Sequence, residues 1–275
     1  MNSNPFEKLP EPIKSTKEEL KQAIVEAVKK DCTGLKKAAL LFSGGVDSTL
    51  LAVLMKNELD LKCYCAGMSG SPDLEWAEKI SKELGLRLKT KTITEEELEQ
   101  ELPKIVSIVG PNLMKVGVAT PFYFCMRGSK EKNFFSGLGT EELYAGYQRH
   151  LKALEQEGLE GADQERKRGL KTMWERDLTR DLALANAFDK KLKTPFLHEN
   201  VVARSLGIPI EKTINKDSKL KKLVLRDIAQ DLGAPESVVQ RPKKAAQYGS
   251  RVDKAMRKIA KREGLQLREY LKRLN

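Results

Sequence analysis

The chain has 275 residues, 40% of them hydrophobic and 32% charged, with 50 Lys and Arg against 39 Asp and Glu for a net charge of +11. Those proportions exclude disorder throughout and fit a soluble globular chain of one large domain or two small ones. The longest apolar runs, around Ala38–Phe42 and Leu50–Met55, fall far short of the roughly 20 residues that cross a bilayer. Met1–Lys8 carries no apolar signal core, so a cytoplasmic chain without a membrane role is expected. The four cysteines, Cys32, Cys63, Cys65 and Cys125, lack paired zinc-ligand spacing and are expected to be reduced.

In chain order, Thr16 with Glu19 has capping-box form, and Leu20, Ile24 and Val28 follow at helical spacing. Ala38–Phe42 reads as a buried strand of the parallel type, stopped by Ser43-Gly44-Gly45. A helix over Thr49–Asn57 follows, then a strand over Leu61–Met68, a helix over Asp73–Leu84, a strand over Leu86–Ile93 and a helix over Glu95–Val109. Asn133–Leu138 is the next expected strand. Strands separated by helices of this length predict an α/β fold, a parallel sheet with helices on both faces. After about Tyr147 the pattern turns helical, with Gly158–Gly169 expected to be a polar connector. The organisation expected is an N-terminal helix over 1–34, an α/β core over 35–150 and a helical part over 151–275 that completes the site.

The sharpest motif is Ser43-Gly44-Gly45-Val46-Asp47-Ser48 between strand and helix. Two glycines let the backbone curl so that successive N–H groups face one anion, and the next helix adds its positive end. Ser43 and Ser48 offer hydroxyl donors, and Asp47 can hold a divalent metal against phosphates. The motif is not a Walker loop, since an acid stands where that motif has lysine.

This loop resembles that of the N-type ATP pyrophosphatases, which cleave ATP between the α and β phosphates. Within that superfamily three further segments are similar to asparagine synthetases. They are Gly67–Leu74, then Ser136-Gly137-Leu138-Gly139-Thr140-Glu141-Glu142 continuing to Tyr147, and a series running from Arg180-Asp181 through Thr194–Leu197 and Lys221–Arg226 to Arg241-Pro242-Lys243 and Gln247–Ser250. The resemblance covers about residues 38–250, and Ser136–Glu142 with Gln247–Ser250 most resembles the asparagine synthetase domain-containing group. The resemblance implies an adenine nucleotide alpha hydrolase-like fold, ATP and Mg2+ as cofactors, and an AMP-forming ligase that joins a carboxylate, aspartate or another acid, to ammonia or an amine. It implies that the backbones of Phe42 and Ala66 hold adenosine and that Ser136-Gly137 closes their pocket. Asp47 and Glu141 would bind magnesium, and Lys222 would neutralise the leaving pyrophosphate.

The family pattern also breaks. Leu138 stands where asparagine synthetases carry a glutamate, and Lys191, Lys193 and His198 replace or flank acids of the family, which predicts a more basic acceptor pocket. Only 42 residues precede Ser43 and Asn2 stands in place of the glutaminase cysteine, so ammonia is expected to arrive free, from a substrate amine or from a separate subunit. Cys125 before Arg127 reads either as a buried small side chain or as a sulfur-carrying thiol, and Cys63, Cys65 and Cys125 form at best a weak cluster. Of the two histidines, His150 is expected at the surface.

Residues 241–275 hold twelve bases against three acids. Val252, Ala255, Met256, Ile259 and Ala260 recur at helical spacing, which makes 251–275 either a capping helix with a wet basic face or a surface for RNA or an acidic partner. Two alternatives to the ligase stand beside it, a tRNA-modifying enzyme of the same superfamily and a non-catalytic nucleotide-binding scaffold.

Overall fold

Thr16 starts the first helix as its sequence predicts. Its hydroxyl accepts the Glu19 amide, and the Glu19 carboxylate accepts the Thr16 N–H at 2.7 Å, which satisfies donors that a helix start leaves open. The computed structural model describes residues 4–217, 220–242 and 246–275. The order is α1 (Lys17–Cys32), β1 (Lys37–Leu41), α2 (Val46–Met55), β2 (Asp60–Met68), α3 (Pro72–Glu83), β3 (Arg87–Ile93), α4 (Glu95–Val109), α5 (Leu113–Arg127), β4 (Asn133–Phe135), α6 (Thr140–Leu143) and α7 (Gln148–Met173). A π-helical turn at Trp174–Leu178 leads into α8 (Thr179–Ala187) and β5 (Lys191–Lys193). Then come α9 (Glu199–Gly207), α10 (Leu223–Asp231), α11 (Glu236–Val239), α12 (Ala246–Gly249), α13 (Val252–Arg262) and α14 (Leu267–Arg273).

The five strands form one sheet in the order β3-β2-β1-β4-β5, with every pairing parallel. Alternate residues of each strand feed opposite cores, because successive side chains leave a strand on opposite faces. Leu40, Cys63, Cys65 and Phe135 pack with α1, α2, α3, α9, α10 and α11. Ala39, Leu41, Tyr64, Ala66 and Phe134 pack with α4, α5, α8, α13 and α14. Helices on both faces are therefore the observed architecture, and each fully buried Leu or Phe contributes about 1.5–3 kcal/mol of transfer free energy. Strand order reverses direction where β1 lies between β2 and β4, and the carboxyl ends there open a crevice in which such sheets place ligands.

Three expectations change. The part after Tyr147 is not helical throughout, since Lys191–Lys193 returns to the sheet as β5 beside β4, so the α/β core does not end at 150. The strand over Asn133–Leu138 stops at Phe135: Ser136 still bonds to β5, and Gly137 then turns away against Asp47 of the glycine loop. The polar connector at Gly158–Gly169 is helix, part of the 26-residue α7, whose backbone departs from helical geometry at Gly158 (φ 74°). Beyond that break, buried Ala162, Arg166, Leu170 and Met173 recur at helical spacing. Arg166 is 1% exposed, and its guanidinium donates to the carbonyls of Ser205 and Leu206, each at 3.1 Å. A buried charge needs such partners, and this one ends α9 against α7.

Candidate nucleotide site at the strand carboxyl ends

Beyond β1 the Phe42 N–H still donates to the Tyr64 carbonyl of β2 at 2.9 Å, and Ser43-Gly44-Gly45 then turns the chain into α2. Gly45 is the N-cap and brings no side chain to the first amides of α2. Gly44 has φ +66°, and a Cβ there would lie 2.7 Å from the Trp76 ring, so both backbone and space demand glycine. Ala66 of β2 is buried two residues past Tyr64, level with the loop. Ser43 is half-exposed, whereas Ser48 is buried and donates to the Gly45 carbonyl at 3.2 Å. Of the two expected hydroxyl donors, Ser48 thus serves the loop's own backbone.

The second wall comes from β4. Ser136 N–H donates to Lys193 O at 3.0 Å, and Gly137 passes so close to the loop that a Cβ would meet the Asp47 Cβ at 2.7 Å. Beyond it α6 carries Glu141. The third wall is Lys222, the N-cap of α10, in the left-handed region at φ 61°. A non-glycine residue there costs of order 1 kcal/mol or more. Its ammonium donates to both Asp47 oxygens at 2.9 Å, to Thr140 Oγ1 at 3.1 Å, and pairs with Glu141 Oε1 at 2.7 Å. Asp47 and Lys222 are each 4% exposed. Burial alone would lower the Lys222 pKa, but Asp47 and Glu141 outweigh it and hold the amine above its usual value. Arg226, one turn along α10, donates to Lys221 O at 2.6 Å and to Arg241 O at 3.1 Å.

The structure thus gathers Asp47, Ser48, Gly137, Glu141 and Lys222, all singled out from sequence, at the mouth of one crevice. Thr140, next to Glu141 in the same segment, joins them through Lys222 and donates to Gly137 O at 3.0 Å. Its signal was position alone, next to Glu141. Two hard carboxylates and a hydroxyl converging on one cation are a donor set that suits Mg2+. Lys243 lies outside the described residues.

On the acceptor side the expectation changes. Lys193 and His198 do not stand as loose side chains, because Asp31 in the last turn of α1 holds both, at 3.3 Å from Lys193 Nζ and 3.0 Å from His198 Nε2. Asp31 is 9% exposed and needs such partners. Lys191 is exposed, and Leu138 packs against the core of the α1 face.

His150 is wholly buried rather than at the surface. Its Nδ1 accepts the Tyr147 N–H at 3.1 Å, and burial together with Arg149 pushes its pKa down to about 3. Beside Glu141, buried Glu142 pairs with Arg176 of the π turn, which also meets Asp177 at 2.7 Å. Burial and Asp177 push Glu142 up to about 7, against the pull of Arg176. Cys125 is 4% exposed and burial pushes its thiol up to about 12, which removes the low-pKa reading. Cys63 and Cys65 pack on the opposite face of the sheet from Cys125, and among the described residues no group of three His, Cys, Asp or Glu side chains could hold a metal ion.

Among the described residues no single helix is long and apolar enough to cross a membrane. The family model described as asparagine synthase matches residues 19–171 and 154–273. A Methanocaldococcus jannaschii protein provisionally named asparagine synthetase (glutamine-hydrolyzing) 1 is 34% identical over 90% of this chain and 52% of its own length. The glutamine-hydrolyzing asparagine synthetases of Rattus norvegicus and Homo sapiens are each 28% identical, over 86% of this chain and 44% of theirs. The chain therefore spans about half the length of the curated relatives it matches. A solved NMN synthetase from Francisella tularensis superposes over 94% of both chains with 14% identity and a TM-score of 0.48.

Proposed function

The chain belongs to the asparagine synthase family, whose members use ATP, and on that premise we propose that it adenylates a carboxylic acid and passes the acyl group to ammonia or an amine. The observation that carries this reading is the convergence of Asp47, Glu141 and Lys222 at the mouth of the Ser43–Ser48 loop. In the first step a carboxylate oxygen attacks the α-phosphorus, the bond to the β-phosphate oxygen breaks, and pyrophosphate leaves with the electron pair. In the second the nitrogen lone pair attacks the acyl carbon, AMP leaves, and the nitrogen gives up a proton.

The loop amides and the N-terminal end of α2 bind the phosphates, and the backbones at Phe42 and Ala66, with Ser136-Gly137, bound the adenosine pocket. Asp47 and Glu141 would hold Mg2+, which supplies charge neutralisation to the triphosphate. Lys222 keeps a permanent positive charge where negative charge builds on the leaving group. Most of the rate enhancement then comes from positioning and electrostatics.

Aspartate is the first acceptor to test, although Leu138 gives an alkyl group where the family pattern has a carboxylate. Incubation with Mg-ATP, a panel of acids including aspartate, and either ammonium or glutamine should form AMP and pyrophosphate with at least one acid. The panel also distinguishes free ammonia from glutamine as the nitrogen source. Asp47→Asn, which keeps the side-chain volume, should abolish ATP–pyrophosphate exchange; exchange at the wild-type rate in that variant rules out this site for ATP.

A further inference from the structure

Trp76 of α3 stands outside the loop motif yet touches its most constrained residue. Its Nε1–H donates to the Gly44 carbonyl at 2.8 Å, and its ring lies where a Gly44 side chain would be. A trans peptide points its C=O and the following N–H in opposite directions. Fixing the Gly44 oxygen on the indole therefore fixes the Gly45 N–H on the opposite side of that peptide.

The outer contacts of the indole reach the third wall of the site. The Arg241 guanidinium lies 4.3 Å from the ring centroid and the Lys79 ammonium 4.7 Å from it, both at cation–π distance. The carbonyl of that same Arg241 is held by Arg226, one turn after Lys222. A continuous path of contacts thus runs from Gly44 through Trp76, Arg241 and Arg226 to the helix that presents Lys222.

We propose that Trp76 is a positioning residue for the nucleotide phosphates: it fixes the Gly44–Gly45 peptide in its anion-binding orientation and ties the loop to the Lys222 helix. The inference rests on the reading of Ser43–Ser48 as the ATP loop.

Trp76→Phe keeps an apolar ring for Arg241 and removes only the donor. It should raise the Kd for Mg-ATP, measured by calorimetry, about three- to tenfold, the range of a single hydrogen bond, with kcat changed far less than KM. A wild-type Kd in this variant overturns the role of Trp76. Should Trp76→Phe fail to fold, Trp174→Phe decides, since it leaves Trp76 as the sole survivor of two tryptophans. Mg-ATP should then shift the emission with the midpoint of binding, and emission indifferent to bound ATP overturns the proposal. Wild-type protein that binds no ATP sinks the loop reading itself and this inference with it, whereas binding unchanged by Trp76→Phe sinks the inference alone.

Discussion

Lys222 holds its backbone in the left-handed region and its ammonium between two carboxylates, so one residue both opens α10 and balances the charge of the crevice. A second pair of buried groups, Glu142 and His150, gives a prediction in pH. His150 has its pKa depressed to about 3 from 6.5, so its contribution is lost as pH falls below 6.5, where only the unfolded chain takes the proton. Glu142 is raised to about 7 from 4.5, so it lowers stability as pH rises from 4.5 to 7, where only the folded chain keeps the proton. Between pH 4.5 and 6.5 each state carries one proton on this pair and the two slopes cancel. His150→Gln keeps an acceptor at the third helical position, where glutamine suits a capping box, and removes the histidine titration. Its stability should fall from pH 4.5 to 6.5, by at most about 1.4 kcal/mol per pH unit. Glu142→Gln should show the opposite slope. Denaturant midpoints across that range test both, and parallel profiles for the two variants refute the assignment.

Among the elements, α13 shows how a charge excess can be answered inside the molecule. Its apolar face, Val252, Ala255, Met256, Ile259 and Ala260, is buried as its spacing predicts. Its basic face meets the acidic first turns of α4, with Lys258 2.7 Å from Glu95 and Arg262 2.7 Å from Glu99. Such exposed pairs stabilise by about 0.2–1 kcal/mol each, but they cancel charge that RNA would need. Lys254, Lys261, Arg268 and Lys272 have no carboxylate within 4.0 Å among the described residues. Removing 251–275 is not a clean test of RNA binding, because Leu267, Tyr270 and Leu271 of α14 are buried in the same core. Charge reversal at Lys254, Lys261 and Lys272 should leave affinity for a mixed-sequence RNA and its salt dependence unchanged. A shallower salt slope would instead mark a nucleic-acid surface on these helices.

For the whole molecule, the site has no single owner. The loop follows β1, Gly137 follows β4, and Lys222 comes from a helix more than eighty residues further along the chain, with Trp76 and Arg226 bracing the joins. A nucleotide that bridges these walls stabilises the folded state alone. Mg-ATP at a hundredfold its Kd should add about 2.7 kcal/mol and raise the melting temperature by several degrees. Asp47→Asn should lose that shift, and an equal shift in the variant would place the bound nucleotide elsewhere.

Much of this was legible because the signals are local. A five-residue apolar run before Ser43-Gly44-Gly45 reads as a parallel strand feeding a phosphate loop, since only glycine takes the turn at Gly44. The capping box at Thr16 and the whole of α4 likewise follow from neighbours three and four residues apart. Gly158 does break the helix as its composition suggests, but the segment after it is helical, because Ala162, Arg166, Leu170 and Met173 are buried at helical spacing against packed neighbours. The burial of His150, the capture of Lys193 and His198 by Asp31, and the pairing of α13 with α4 all join residues far apart in sequence. By itself the sequence determined the alternation of strands and helices, the glycine loop and the residue types of the site, because periodicity and backbone freedom are properties of short segments. Only the tertiary structure decided which cations are free and which carboxylates share one, because charge balance and burial depend on what the fold brings within a few ångströms.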